Sequence, residues 1–243
     1  MKWQTTRILT AVPHNSGTTL LTHLLANIIK PDVPYFHAAD GYSGTDHVAS
    51  RYKIQKACSK NLSFVAPLHI RSSPGLTDIC TQASIKTIVM TRNIYDTIVS
   101  LRDRVKKHKD KRRDESSLVF TQTLPIHSKL SDEQIELFLI KYAVPWYFSF
   151  VASWIKSGQA THFLRYEDLL NKKEEALSTI FIKLGIDIPQ NKITDGINET
   201  KRSDTRLNVG ITGRGEALKH CYRREIGELA NLYPGVNFSI LLD

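Results

Sequence analysis

The residues near the start of the chain that could do chemistry are small and hydroxylic, and they lie between a predicted strand and a predicted helix. One apolar run begins at Arg7 and a second begins at Leu20. A tight loop between a strand and a helix presents backbone amides and the positive end of the helix dipole to an anion, and hydroxyl groups add donors. The stretch therefore predicts an anion cradle, although an ordinary strand-to-helix turn explains Ser-Gly-Thr-Thr alone equally well. The loop residues are Ser16, Gly17, Thr18 and Thr19.

The cradle differs from the loop that binds nucleoside triphosphates. That loop reads G-x-x-x-x-G-K-[ST], whereas here no Gly precedes the loop and no Lys follows Gly17. The anion is therefore not expected to be the β,γ end of ATP. A P-loop nucleotide kinase or other phosphotransferase remains the alternative, and ATP turnover that needs magnesium would favour it.

Three further polar residues lie at or after the ends of other apolar runs, namely His69, Arg92 and Tyr166. Short apolar strands that alternate with helices predict a parallel sheet covered on both faces. Ligands of such sheets bind beyond the carboxyl ends of the strands, where all these residues fall. We therefore expect an α/β fold of three layers, α/β/α, with a central parallel sheet, built as one domain over residues 1–243.

The predicted elements follow from apolar spacing and from capping signals. Strands are expected from Arg7, at 62–66, at 85–91 and at 161–166; helices are expected at 20–30, from Thr45 to about Lys60, from Pro74, from Ile94 until the charge run at Arg102, from Ser131 through Trp154 with a kink at Pro145, at 171–184 and at 216–232. Residues 31–45 are predicted to be a loop, and residues 190–215 are polar and contain glycine.

Charge indicates an anionic partner. The formal net charge is +9, and eight Lys or Arg lie between Arg102 and Arg113. This basic stretch, extended to about residue 130, predicts either a solvated loop or a lid over an anionic ligand. A module that binds nucleic acid through the same stretch is the non-enzymatic alternative, but no nucleic-acid partner is expected.

Cysteine usage and the N-terminus indicate a reducing compartment. The three cysteines, Cys58, Cys80 and Cys221, are widely spaced, which argues against a disulfide scaffold and a zinc site. The N-terminus leads straight into a predicted strand without a secretory h-region, and the sequence has no uninterrupted apolar run of membrane-spanning length. We therefore expect a cytoplasmic protein without a transmembrane segment.

Three separated segments resemble those of the sulfotransferases that use 3′-phosphoadenosine 5′-phosphosulfate (PAPS). Residues 13–20, Pro-His-Asn-Ser-Gly-Thr-Thr-Leu, resemble the family's 5′-phosphosulfate loop. Residues 91–100, Thr-Arg-Asn-Ile-Tyr-Asp-Thr-Ile-Val-Ser, resemble its 3′-phosphate segment, with Ile94 in place of a Pro. Residues 164–169, Leu-Arg-Tyr-Glu-Asp-Leu, resemble its Y-E-D-L segment. The order is the family's order and spans nearly the whole chain.

The resemblance implies the P-loop NTPase-like sulfotransferase fold and the transfer of a sulfonate group from PAPS, without a metal, to a hydroxyl or amine. The product would be 3′-phosphoadenosine 5′-phosphate (PAP), and the acceptor a small molecule or a carbohydrate. Arg92 and Ser100 would bind the 3′-phosphate, and Tyr166 would lie near the adenine. His69 would be the general base, although a structural histidine at a strand end is an equal alternative and Asp40 or Asp46 remain open.

The sequence departs from the family at the position before Ser-Gly-Thr-Thr, where Asn15 replaces a Lys or Arg. That cation steadies the bridging oxygen as the S–O bond breaks, so a catalytically weakened relative is a further alternative. His14 or a basic residue from 102–113 could compensate. A looser likeness at residues 208–213 implies that Gly210 approaches the nucleotide, with Arg206 or Arg214 in place of two missing basic residues.

Overall fold

The computed structural model describes residues 5–43, 45–109, 120, 130–202 and 210–243. The strands are β1 (Arg7–Ala11), β2 (Ala39–Ser43), β3 (Asp46–Ala49), β4 (Phe64–Leu68), β5 (Lys86–Thr91) and β6 (His162–Arg165). The helices are α1 (Thr18–Ile29), α2 (Arg51–Ser59), α3 (Pro74–Gln82), α4 (Ile94–Lys109), α5 (Asp132–Tyr142), α6 (Val144–Ser157), α7 (Tyr166–Asn171), α8 (Lys173–Leu184), α9 (Gln190–Thr200), α10 (His220–Leu229) and α11 (Ser239–Leu242). Short 3₁₀ turns span Arg214–Ala217 and Ala230–Leu232.

The central sheet is parallel, with strand order β4-β1-β5-β6. Ala11 at the end of β1 pairs with Leu68 of β4 and Val89 of β5, and Thr91 pairs with Arg165 of β6. The carboxyl ends of all four strands therefore meet at one edge. The segments that follow them, which carry the predicted site residues, lie side by side along that edge.

Side-chain alternation along β1 divides the core into two layers. Leu9 and Ala11 belong to one apolar cluster, which includes residues of α4, α5 and α6. Ile8 and Val12 belong to the other, which includes residues of α1, α8 and α9. The predicted three-layer α/β/α class is confirmed.

Local signals place several helix ends where the sequence predicts them. Ser131 and Gln134 form a reciprocal capping box at α5. The predicted kink is a break at Ala143, with Pro145 in the first turn of α6, where a missing amide costs little. Gly158 and Gly185 end α6 and α8 in the left-handed conformation.

Four element predictions were wrong. The predicted loop at 31–45 contains strand β2, and the helix predicted from Thr45 begins only at Arg51, capped by Ser50, because Asp46–Ala49 forms β3. Helix α4 continues through the charge run to Lys109. The helix predicted from Glu216 begins at His220. Residues 190–215, for which no element was predicted, contain α9.

The residues from Asp132 to Ser157 form a stretch long and apolar enough, by length and composition, to cross a membrane. However, 67% of its most apolar window is buried inside the protein. Its side chains, among them Phe148 and Phe150, belong to the core over one face of the sheet. These are the properties of a core helix.

Candidate active site

The loop after β1 is shaped by two residues in the left-handed region. Asn15 has φ 57° and Gly17 has φ 91°, and asparagine and glycine are the residues that adopt this region at least cost. A Cβ on Gly17 would lie 2.5 Å from the ring of Tyr166. The glycine therefore lets Tyr166, the first residue after β6, pack directly on the loop. Helix α1 begins at Thr18, so its first amides lie at the cradle.

Arg92 links this loop to the end of β5. Its guanidinium donates to the carbonyl oxygen of Asn15 (3.4 Å) and to that of Ile211 (3.3 Å). It also lies over the ring of Tyr166, 4.9 Å from the centroid. The side chain is only 7% exposed, and its Nε atom has no hydrogen-bond partner among the described residues. A buried guanidinium with an unused donor beside an anion cradle is suited to a second anionic group.

Helix α4 is anchored by polar contacts at its start. The side chain of Asn93 accepts from the amides of Tyr95 and Asp96, and its own amide donates to Glu167. Asp96 accepts from the amides of Gly213 (2.9 Å) and Gly215 (2.6 Å) and lies 4.0 Å from Arg92. The 210–217 segment is therefore held against α4. Ser100, one turn after Asp96, is buried.

Three histidine rings lie close together, tilted against one another, beside the cradle. The ring centroid of His69 is 4.0 Å from that of His14 and 5.0 Å from that of His47. The Nδ1 atom of His69 lies 2.6 Å from the carbonyl oxygen of Val12. A carbonyl can only accept, so Nδ1 carries the proton and Nε2 is the basic nitrogen.

Burial keeps these rings neutral. It is the largest cause that lowers the pKa of His69 to about 4 and the pKa of His47 to about 4, and it holds the pKa of His14 well below the ordinary value. The proximity of His69 lowers the pKa of its two neighbours further. At neutral pH the cluster therefore contains unprotonated nitrogen that can accept a proton.

Aromatic side chains surround the histidines. Phe120 and Trp146 lie 5.7 Å and 5.4 Å, centroid to centroid, from the ring of His14. The hydroxyl of Tyr147 donates to the His14 carbonyl (2.6 Å). Burial raises the pKa of Tyr147, so this hydroxyl stays protonated. The histidine cluster thus has an uncharged aromatic wall.

The structure brings together most of the residues expected at the site. Asn15 and Arg92 touch, Gly17 contacts Tyr166, and His14 stacks on His69. Ser16 is buried in the loop, while Thr18 and Thr19 begin α1. Arg206 and most of the 102–130 stretch lie outside the described residues.

Gly210 and Arg214, the described residues that were predicted for the 3′-phosphate side, lie in other surroundings. Gly210 is exposed, and Arg214 pairs with Asp103 of α4. Sequence reasoning missed His47. His47 is held by backbone pairing, because its amide donates to the His69 carbonyl and its Nδ1 accepts from the His69 amide.

Comparisons with solved structures match this architecture. Mouse sulfotransferase SULT7A1 complexed with PAP is 18% identical, with a TM-score of 0.62 over 92% of this chain and 82% of that chain. Retinol dehydratase in complex with androsterone and the inactive cofactor PAP is 13% identical, with a TM-score of 0.56 over 98% of this chain and 84% of that chain. At these identities the likeness shows the fold. No curated protein sequence matches the chain.

A family model for the sulfotransferase domain matches residues 5–209. The match contains the loop after β1, Arg92 at the end of β5, the first helix beyond it and Tyr166 after β6. It covers well over half of the chain, and the chain belongs to the sulfotransferase family.

Proposed function

We propose that the protein transfers a sulfonate group from PAPS to a hydroxyl or amine acceptor and releases PAP. The observation that carries this proposal is the contact between Arg92 and the loop after β1. It supports one cleft with two centres of positive potential, one made of amides and hydroxyls and the other a guanidinium. PAPS has the matching charge distribution, with a phosphosulfate at its 5′ end and a phosphate at its 3′ end.

The two ends of the nucleotide would be bound by different residues. Residues 15–19 would bind the 5′ end through amides and hydroxyls. Arg92 would bind the 3′-phosphate, since its unused Nε donor and planar fork suit a phosphate. Ser100 would assist from α4, and Tyr166, which already stacks on Arg92, would lie near the adenine. Arg206, Gly210 and Arg214 stay predictions for the 3′ side.

His69 would act as the general base through Nε2. The hydrogen bond from Nδ1 to the Val12 carbonyl fixes the tautomer that leaves Nε2 unprotonated. A positioned base contributes roughly 10²–10⁴-fold to the rate. His14, stacked on His69, would orient the ring. Asp40 and Asp46 are weaker candidates, because Asp40 pairs with Lys53 (3.2 Å) and Asp46 with Arg71 (2.8 Å).

The aromatic wall favours an acceptor without charge near its reacting atom. Phe120, Trp146 and the neutral histidines offer ring faces and hydrogen-bonding nitrogens. A small molecule or a carbohydrate with a hydroxyl or amine fits this description. Androsterone, which is bound in the retinol dehydratase structure, is an uncharged alcohol of this kind.

A metal is not part of the proposal. A sulfonate carries a single negative charge, whereas a γ-phosphate carries nearly two and is neutralised by magnesium in kinases. The described residues contain no group of three or more His, Cys, Asp or Glu side chains placed to hold a metal ion. That the reaction needs no metal is a prediction. Two further predictions are that the chain forms a single domain and that the protein is located in the cytoplasm.

The decisive experiment is calorimetric titration with PAP, ATP and AMP, followed by an acceptor screen with labelled PAPS. We expect PAP to bind more tightly than AMP, and label to move to an acceptor without magnesium. Tighter binding of ATP with magnesium-dependent turnover would favour the phosphotransferase alternative. PAP binding without transfer to any acceptor would favour a weakened relative, the alternative that Asn15 suggests.

A further inference from the structure

A second guanidinium reaches the anion cradle from α4. The Nη1 atom of Arg104 donates to the side-chain oxygen of Asn15 at 2.7 Å. Arg104 lies one helical turn after Ser100 and two turns after Asp96, so all three residues share one face of α4. The contact joins the far half of the helix to the loop after β1, and neither segment alone reveals it.

The cradle contains no side chain with a permanent positive charge. The sequence from Ile8 to Ile29 has no Lys and no Arg. Amides and hydroxyls provide dipoles, but the proposed reaction places a full additional charge at this point. The bond between sulfur and the oxygen that bridges it to the 5′-phosphate breaks, and its electron pair stays on that oxygen. The acceptor oxygen bonds to sulfur, and the acceptor's proton passes to the base.

The 5′-phosphate therefore gains a negative charge during transfer, and a fixed cation beside it would stabilise the transition state. We propose that Arg104 is this cation: it supplies from α4 the positive charge that the loop lacks, and Asn15 positions it. This inference rests on the proposed function and deepens it, since it names the residue that stabilises the leaving group.

The conformation of Asn15 fits the role of a positioning residue. At φ 57° an asparagine is tolerated better than a lysine, and its side chain is short enough to keep its oxygen at the loop. Arg104 also acts electrostatically on the surrounding groups, since its charge contributes to the lowered pKa of His14 and of His69. The guanidinium is therefore close to both the cradle and the base.

The test uses nucleotide fragments that separate the two ends of the ligand. PAP carries both phosphates, whereas 3′-AMP lacks the 5′-phosphate. Calorimetric Kd values for both are measured with wild type, Arg104→Ala and Lys106→Ala. Lys106 is the matched control because it lies on the same helix, carries the same charge and pairs only at the surface with Asp132. The hydrolysis of bound PAPS to PAP and sulfate, in which water takes the place of the acceptor, is followed in a single turnover as a second readout.

We expect Arg104→Ala to raise the Kd of PAP at least tenfold, to leave the Kd of 3′-AMP within about twofold, and to slow PAPS breakdown about 10²–10³-fold. For Arg104→Lys, which keeps the charge, the Kd of PAP and the rate of PAPS breakdown should lie between the values of the wild type and those of Arg104→Ala. Asn15→Gly, which keeps the backbone conformation, should slow PAPS breakdown because Arg104 loses its anchor. Lys106→Ala should change none of these values.

Two results would overturn the inference. An Arg104→Ala variant with unchanged PAP affinity and unchanged PAPS breakdown would remove the residue from the cradle. Equal losses for PAP and 3′-AMP would mean that Arg104 only supports the fold. Both differ from failure of the proposed function, in which the wild-type protein itself would bind neither PAP nor PAPS.

Discussion

Asp96 is the residue whose substitution tests most directly how the 210–217 segment is held at the candidate site. Its carboxylate is 2% exposed and accepts from the amides of Gly213 and Gly215. Those two bonds hold the 210–217 segment, and the Ile211 carbonyl in that segment accepts from Arg92. We predict that Asp96→Ala both destabilises the protein and weakens nucleotide binding.

The magnitude follows from the surroundings of the two amides. The Gly215 amide is buried and would be left without an acceptor, which costs about 1–3 kcal/mol. Gly213 is exposed, so water can replace the carboxylate and only the net bond of about 0.5–1.5 kcal/mol is lost. The free energy of unfolding should therefore fall by about 1.5–4.5 kcal/mol. Asp96→Asn keeps one acceptor oxygen and should lose about half as much.

Urea unfolding followed by fluorescence measures this change, and calorimetry with PAP measures the loss of affinity. Asp132→Asn is the control, because Asp132 is a half-exposed carboxylate that pairs with Lys106 at the surface, where such pairs contribute 0–1 kcal/mol. A loss below about 0.5 kcal/mol for Asp96→Ala would refute the reasoning. It would mean that the segment is held by other contacts.

Four further predictions test individual groups. Arg92→Ala should raise the Kd of PAP by about 10–150-fold, because a charged hydrogen bond contributes about 1.5–3 kcal/mol, and leave that of 5′-AMP nearly unchanged in calorimetry; equal losses for the two ligands would contradict 3′-phosphate binding. His69→Ala should lower kcat by roughly 10²–10⁴-fold with PAP affinity within about twofold, so retained turnover in the labelled-PAPS assay would exclude it as the base. Stability should fall as pH is lowered from 6.5 towards 4, because the unfolded chain protonates His69, His47 and His14 in this window while the folded chain does not; His69 contributes at most about 3 kcal/mol of this effect, which should shrink in His69→Gln when urea unfolding is repeated across that window. Gly17→Ala should weaken PAP binding at least tenfold, since the added methyl would lie 2.5 Å from Tyr166 and the left-handed φ disfavours alanine; a calorimetric Kd equal to that of the wild type would show that the loop can relax.

Much of the sheet and the positions of the loop after β1 and of Arg92 could be predicted because their signals are local. Strand β5 contains the apolar run Ile88 to Met90, the capping box of α5 lies within four residues, and Ser-Gly-Thr-Thr lies where a strand passes into a helix. Parallel strands bring their carboxyl ends to one edge, so the proximity of Arg92 and the loop follows from topology alone.

The missed elements have weak local patterns. Strand β3 lacks apolar alternation; it pairs antiparallel with β2, and the hydrogen bonds between His47 and the backbone of His69 also tie it to the segment after β4. Helix α9 is polar but packs closely on α1 at Gly196, where a Cβ would lie 2.3 Å from Ile28.

The charge run of α4 looked unfavourable for a helix because its partners could not be read from the sequence. Arg102 pairs with Glu136 of α5 at 2.5 Å, and Arg104 with Asn15. The positive charge of Arg104 was therefore visible in the composition, but its position beside Asn15 was not. The sequence shows where the positive charges lie along the chain, but not which side chain reaches the loop after β1.

The spacing of Asp96, Ser100 and Arg104 has a consequence for how this protein can change over time. Each residue of a helix turns the chain by about 100° and advances it by about 1.5 Å. Deleting one residue between Asp96 and Arg104 would swing the guanidinium about a quarter turn around the helix axis, away from Asn15. The contact with Asn15 therefore constrains the number of residues between Asp96 and Arg104.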